Sequence, residues 1–412
     1  MNLKNTSIFN GFAVTLKIAV GLLINKTIAL LGGPSGFVIA GQLQNFLSII
    51  TAIGTGGILR GVTKYSADLD YDEGNVLKTA IILGFGLSIS ISIMLIIFSS
   101  DISNYIFGSD DEKYLVNITS VSIIFISLNA ILLAYLNGIG EIKKYVYCGL
   151  VGNILSIAFV GVLSFFFGLR GSLIALVSYQ VVYLLATLFF ARNILSIRRV
   201  FNFSRFDREI VSKLGVFSVM AITTAAVVPL SSMMIRDHLV RSFGIEWAGN
   251  WDAMIRINKA YLAFFSLTMS VYFLPKFSKT DNLIKIKKEI SEGHKLLLPV
   301  AILGSITLFL LKEQVVRVLY SDEFVLIYDL FKFQVIGDLF KIAGLFYSFL
   351  IISKARSKFY ISTEVIFASL LFLLCLTLSN WVGYEGVALG YMLTNLLYWL
   401  VVLVYCKRYL GV

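Results

Sequence analysis

Seven lysines and arginines fall inside stretches that are otherwise apolar: Lys17, Lys26, Arg236, Arg256, Lys259, Lys332 and Lys341. Lys17, Lys259 and Lys341 lie near the midpoints of their stretches, and Arg256 is one turn from Lys259 in NWDAMIRINKAYLAFF, residues 250–265. A cation at the centre of a membrane helix costs about 2.5–3.5 kcal/mol on the insertion scale. Four or five of them facing lipid would together cost more than ~10 kcal/mol, comparable with the whole stability of a domain. They must meet water, a counter-ion or a ligand.

Counter-ions are scarce. Asp252 is four residues before Arg256, and Asp338 three before Lys341, so each could pair with its neighbour on one helix face. Glu364 lies in the inner part of a later stretch. Even with both pairs formed, Lys17, Lys26 and Lys259 have no acid close in sequence. Lys26 follows Lys17 by nine residues, roughly 900° of helical turn, so the two point opposite ways on a straight helix. Arg236 and Lys332 are near enough to outer ends to snorkel. The remaining cations, chiefly Lys17, Arg256, Lys259 and Lys341, describe a wet, positive chamber that suits an anionic cargo. An exporter of cationic drugs would need the opposite sign. Asp338 and Glu364 are the acids well inside spans; they are candidate proton or sodium coupling sites, with structural pairing as the plainer alternative.

The elements that must hold these groups are membrane helices. The chain has 412 residues, 58% hydrophobic and 14% charged, with a mean hydropathy of +0.86. Soluble domains carry about 25% charged residues, and apolar runs of 18 or more residues are candidate spans. Twelve are predicted, at roughly 8–31, 36–58, 78–99, 115–137, 146–167, 171–191, 213–236, 250–274, 294–311, 328–352, 359–379 and 385–405. A membrane β-barrel would show short alternating segments instead. With the N-terminus inside, 23 Lys/Arg fall on cytoplasmic segments, five outside and seven within spans. That bias places both termini in the cytoplasm. It also explains the net charge of +11 without nucleic acid; anionic lipid head groups are the expected partners of the basic surface. Arg60, Lys64 and Lys276 stand at the inner mouth, as candidates for head-group capture or as followers of the inside rule.

Other chemistries find little support. Cys148, Cys375 and Cys406 lack metal-ligand spacing and read as small core residues, and His238 and His294 have no partner cluster, so no metal or cofactor is expected. No phosphate-binding G-x-x-x-x-G-K-[ST] loop occurs. The N-terminal segment leads directly into a full-length span, without the pattern of a cleavable signal.

The halves repeat. GLRGSLIALVSYQVVYLLATLFFAR (168–192) lies over GYEGVALGYMLTNLLYWLVVLVYCK (383–407) at an offset of 215, which also places Lys143 and Tyr145 on Lys358 and Tyr360. VTKYS (62–66) matches LPKFS (274–278) at an offset of 212. With six spans per half, both halves start on the same side and the repeat is parallel. The expected fold is all-α and polytopic: twelve transmembrane helices in two six-helix lobes, 1–200 and 201–412, around a central cavity. Pro229, inside the seventh predicted span, is a candidate bending point.

The segments LKIAVGLLINKTIAL (16–30), GVTKYSA (61–67), SVYFLPKFS (270–278), FQVIGDLFKIAG (333–344) and SKARSKFYISTEV (353–365) resemble the Wzx-type flippases of lipid-linked oligosaccharides. These belong to the multidrug/oligosaccharidyl-lipid/polysaccharide exporter superfamily, and the enterobacterial common-antigen branch looks most alike. The resemblance implies a transporter rather than an enzyme, with a cationic cavity. Its cargo would be an oligosaccharide on undecaprenyl diphosphate, carried from the cytoplasmic to the periplasmic leaflet of the bacterial inner membrane. Lys17, Lys26, Arg236, Asp338, Lys341 and Lys354 fall in segments that look alike. Lys259 departs from that branch, where the resemblance leads one to expect an acid, and this points to an O-antigen unit rather than the common-antigen trisaccharide. Lys17, Lys26, Arg256, Lys259 and Lys341 are then the candidate substrate-binding residues, with Gln42, Asn45, Asn129 and Tyr261 as candidate sugar contacts or ordinary packing residues. The polysaccharide polymerase and chain-length regulator of such a pathway are the protein partners implied. A cation-coupled multidrug exporter of the same superfamily is the alternative; a membrane glycan polymerase fits less well, for want of a large outer loop.

Overall fold

The computed structural model of the chain describes residues 3–68, 70–192, 208–279, 282–354 and 356–409. Among the described residues there are fourteen α-helices. In chain order they are α1 (Leu3–Gly54), α2 (Leu59–Ser66), α3 (Glu73–Ile97), α4 (Ser99–Phe107), α5 (Lys113–Gly138), α6 (Ile142–Ala191), α7 (Arg208–Phe243), α8 (Ile245–Thr268), α9 (Leu274–Lys279), α10 (Leu283–Leu310), α11 (Lys312–Leu319), α12 (Phe331–Ser353), α13 (Ser357–Val382) and α14 (Gly386–Tyr409). Eight helical stretches of the described residues are long and apolar enough to cross a membrane. Helix α8 is not one of them, because any window of span length inside it contains Asp252, Arg256 and Lys259. The cations that raised the question of function are what lower its apolarity.

Two of the runs are too long for one crossing. Helix α6 has 50 residues, which as a straight rod would reach about 75 Å against a hydrocarbon core of about 30 Å. It is broken at Gly168, whose φ of 58° is left-handed, a conformation that glycine adopts without a Cβ clash. The chain folds back there. The Ser164 and Ser172 hydroxyls lie 2.8 Å apart, Ser156 Oγ is 3.4 Å from the Tyr179 carbonyl, and Gly152 packs against the Tyr183 ring. Helix α1, 52 residues long, is likewise broken at Gly33, with φ 54°.

The same hairpin recurs 215 residues on. Gly383 has φ 90°, Phe367 meets Tyr398 at 5.2 Å between ring centroids, and Gly386 lies against the Leu378 carbonyl as Gly171 does against that of Leu163. A methyl group at either glycine would overlap backbone, so the close approach of the two helices requires its absence. Cys375 donates its thiol to the Val387 carbonyl at 3.4 Å across the second hairpin. All three cysteines are free and buried, as core residues should be.

The chain divides into two compact units, Met1–Gly32 with Ile39–Pro229, and Gly33–Val38 with Leu230–Val412. The division at Pro229 falls within α7, which continues helically through it. In the first unit Val62, Leu77, Ala80, Ile131, Leu132, Leu184 and Leu214 form a core among α2, α3, α5, α6 and α7. In the second, Phe265, Met269, Phe273, Ile290, Ile342, Phe346 and Leu350 do so among α8, the following π-turn Met269–Phe273, α10 and α12.

A buried ion pair ties α7 to α8 in the second unit. Arg236 Nε and Nη2 donate to the two carboxylate oxygens of Asp252, each at 2.5 Å. Both residues are buried. Arg236 therefore does not snorkel, and Asp252 is not given over to Arg256: a facing guanidinium offers a planar two-point match that a neighbour one turn along the same helix cannot. Removing one member strands the other charge, at a cost of about 3–5 kcal/mol. Asp252→Asn should lower the melting temperature of the purified protein accordingly; unchanged melting would show that the pair holds nothing together. Nearby, a Cβ on Gly249 would come within 2.0 Å of the Pro34 carbonyl oxygen. Gly249→Ala should cost about 1–3 kcal/mol, seen as reduced folded yield in a fluorescence-detected gel-filtration assay.

Candidate functional site

Three helices of the second unit, α8, α12 and α14, bring the predicted charges together. On α8, Arg256 and Lys259 are three residues apart but sit in different environments. Arg256 is buried, with its guanidinium 4.6 Å from the centroid of the Phe37 ring. Phe37 in turn packs edge-on against Tyr320 and Phe324 at 5.3 and 5.0 Å, and Tyr320 donates its hydroxyl to the Ala253 carbonyl at 2.9 Å. The arginine thus lies under an aromatic cover, where a weakly hydrated, planar cation is better tolerated than an ammonium. Lys259 is exposed. The charges acting on it most strongly are Arg256, Asp252, Arg236 and Lys341.

Helix α12 contributes Asp338 and Lys341. The expected i, i+3 pair is not among the ion pairs of the described residues. Asp338 instead accepts a 2.8 Å hydrogen bond from the Tyr391 hydroxyl of α14, and Lys341 Nζ lies 5.7 Å from the centroid of the same ring. One turn before, Gly337 makes room for this tyrosine, since a Cβ there would come within 2.7 Å of its ring. Asn258 of α8 is buried near both Asp338 and Tyr391. Glu364 of α13 is partly buried and acts electrostatically on Lys341.

The balance of this cluster is positive. With Arg236 and Asp252 counted as a pair, Arg256, Lys259 and Lys341 outnumber Asp338 and Glu364. Among the described residues no ion pair includes Lys259 or Lys341, and these two are the ones within reach of a ligand, Lys259 exposed and Lys341 partly so. Two ammonium groups outside ion pairs are chemistry that suits an anion. Sequence reasoning missed Tyr391, Asn258 and Tyr320, which position the charges; their only signal is a polar or phenolic group in an apolar helix, and that is common.

Other predicted residues are placed differently. The Lys17 side chain lies outside the described residues, and Lys26 is partly buried on α1. Asn129 accepts from the Thr187 hydroxyl at 2.7 Å in a buried contact between α5 and α6. Tyr261 donates to the Ala301 carbonyl at 2.7 Å. Both are committed to helix packing. Gln42 and Asn45 are buried on α1, the latter with its amide nitrogen unserved by hydrogen bonds. Arg60 and Lys64 are exposed on α2, Lys64 5.1 Å from the Tyr65 ring centroid. Lys276 is paired with Glu289 at 2.8 Å and with the Tyr272 hydroxyl at 2.8 Å, which together raise its pKa, Glu289 foremost.

The family model for polysaccharide biosynthesis proteins matches residues 30–329. The lipid III flippases of Escherichia coli (strain K12) and Shigella flexneri are each 28% identical to this chain, over 97% of it and 96% of their own length. Among solved structures, an inward-facing multidrug resistance MATE family transporter of the MOP superfamily aligns with a TM-score of 0.79 at 14% identity, over 97% of this chain and 94% of that one. A MOP superfamily transporter from Pyrococcus furiosus aligns at 0.72 and 13% identity, over 98% and 94%. At these identities the two structures speak for the fold, and the matches cover it nearly end to end. The resemblance read from the sequence holds at the level of the family, and the fold agrees with it. This multi-pass membrane protein, a transporter and not an enzyme, belongs to the polysaccharide biosynthesis protein family.

Proposed function

We propose that the protein is a flippase for an undecaprenyl-diphosphate-linked oligosaccharide, an O-antigen repeat unit or a similar glycan. It works in the bacterial inner membrane with both termini in the cytoplasm, and carries its cargo from the cytoplasmic to the periplasmic leaflet. Its twelve spans form two six-span lobes, 1–200 and 201–412, related by a parallel repeat, and it operates by alternating access. The observation that carries the reading is the positive cluster on α8 and α12, in a chain that is similar over almost its whole length to lipid III flippases. A diphosphate carries roughly two negative charges that cannot cross hydrocarbon bare. Lys259 and Lys341 receive it, Arg256 adds positive field from beneath its aromatic cover, and Lys17 and Lys26 are further substrate-binding candidates on the strength of their place in the sequence. The prenyl tail stays in lipid. Asp338 and Glu364 are the proposed sites of proton or sodium coupling. A polymerase and chain-length regulator would receive the product.

The fold likeness to a multidrug transporter favours a second reading, cation-coupled drug export. It asks the cluster to hold a cation beside two lysines, against Coulomb repulsion.

A charge-assisted hydrogen bond is worth about 1.5–3 kcal/mol, or roughly 10–100-fold in binding. Lys259→Ala and Lys341→Ala should therefore reduce surface glycan about tenfold or more when expressed at wild-type level in a flippase-null strain, while Lys259→Arg retains most of it. Normal glycan in both alanine variants, with drug resistance conferred instead, would decide for the second reading. Asp338→Asn should abolish the dependence of flipping on a proton or sodium gradient in proteoliposomes; a gradient response equal to wild type would remove Asp338 from the coupling role.

A further inference from the structure

A second basic site lies in the second unit, apart from the cluster on α8 and α12. A cavity of about 370 Å³ is lined by Lys287, Ser291, His294 and Lys295 of α10, Tyr347 of α12 and Lys407 of α14. The four α10 residues are spaced at i, i+4, i+7 and i+8, which puts them on one helix face. The other charges of that stretch turn elsewhere. Glu289 pairs with Lys276 of α9 at 2.8 Å, and Glu292 pairs with Lys288 at 3.8 Å. Every nearby acid on α10 is thus spent on a lysine outside the cavity. Among the described residues, none of Lys287, Lys295 and Lys407 is in an ion pair. The back of the cavity is fixed: His294 sets its ring nitrogens against the carbonyls of Ile290 and Ala343, at 3.0 and 3.3 Å, and its ring packs, tilted, against Phe346 at 4.2 Å between centroids.

The position of these lysines in the helix matters as much as their number. Immediately after Lys295, α10 becomes apolar, and on the helix face of these lysines Leu298 is half-buried and Ile302 and Phe309 are exposed. Three ammonium groups and a serine hydroxyl at the head of an exposed apolar strip match one kind of ligand: a negatively charged phosphate group attached to a long hydrocarbon chain. We propose that this cavity binds the phosphorylated head group of an anionic lipid, with its chain along α10. By the charge bias of the proposed topology this is the cytoplasmic face. The binding claim itself does not need that assignment, and none of these residues takes part in the proposed transport site.

The test uses the full chain in detergent and measures binding of phosphatidylglycerol, undecaprenyl diphosphate, zwitterionic phosphatidylcholine and inorganic phosphate by microscale thermophoresis. Each lysine near an anionic lipid contributes about fivefold, so Lys287→Gln with Lys295→Gln and Lys407→Gln should weaken binding of the anionic lipids about a hundredfold. The charge-matched triple Lys285→Gln, Lys288→Gln and Lys358→Gln should lose far less. The single Lys295→Gln, an exposed position, should weaken binding about fivefold with its elution profile unchanged, which separates loss of the site from loss of the fold. The tighter of the two anionic lipids identifies the occupant. Equal losses in the two triples, or inorganic phosphate binding as tightly as the lipids, would overturn the proposal. Glycan export does not enter this readout, so its failure and that of the flippase reading are distinguishable.

Discussion

The electrostatics of α8 turn on one contact, the two-point pair between Arg236 and Asp252. An apolar helix such as α8 has room for few acids, and the one nearest its cations is Asp252. If that carboxylate faced Arg256 along the helix, the local charge would cancel and Lys259 would be an isolated oddity. Because Arg236 reaches across from α7 and takes both oxygens, the acid bonds across helices rather than along α8, and Arg256 needs further stabilisation. The aromatic group of Phe37 and Tyr320 supplies it. The pair also fixes α7 on α8, so the helix that carries the functional cations is held by a contact that does not consume them.

A similar division operates on α12. Asp338 could have neutralised Lys341 one turn away, and its hydrogen bond with Tyr391 directs it toward α14 instead. That bond depends on Gly337, whose missing side chain lets the tyrosine ring approach. The outcome on both helices is the same: acids are tied to neighbouring helices by specific bonds, and Lys259 and Lys341 are in no ion pair among the described residues. In a low-dielectric setting an unsatisfied carboxylate is costly and so is an unsatisfied ammonium. The structure satisfies the first within the protein and leaves the second reachable from outside it, which is what a site awaiting an anion requires.

The sequence showed the class of molecule and the repeat clearly, and the side-chain partners poorly. Apolar length and charge bias are summed over many residues, so single errors do not disturb them, and the hairpins at Gly168 and Gly383 carry the same local geometry at the offset read from the letters. Partner choice depends instead on one or two contacts across helices. Spacing along α8 suggested Asp252 with Arg256, since i, i+4 is the only geometry a single helix exposes to inspection. Arg236 sits 16 residues away in a different helix, and no periodicity links it to Asp252. Asn129 and Tyr261, open in the sequence between sugar contact and packing, bond to neighbouring helices for the same reason. Each is polar in an apolar run, and whether such a group greets a sugar or a neighbouring carbonyl is settled by what stands opposite.

The exposure of Lys259 beside the burial of Arg256 sharpens the division of labour between two cations three residues apart. A buried guanidinium cannot follow a moving head group without dismantling the packing of Phe37 on Tyr320 and Phe324. An exposed ammonium on a flexible stem can, and it sheds or regains water as the ligand leaves or arrives. A site that must bind a charged group on one side and release it on the other is better served by attachments that are individually weak and mobile than by a tight bidentate clamp. On that argument the use of arginine for the structural pair and the buried field, and of lysine for the reachable positions, follows from the task of transport itself.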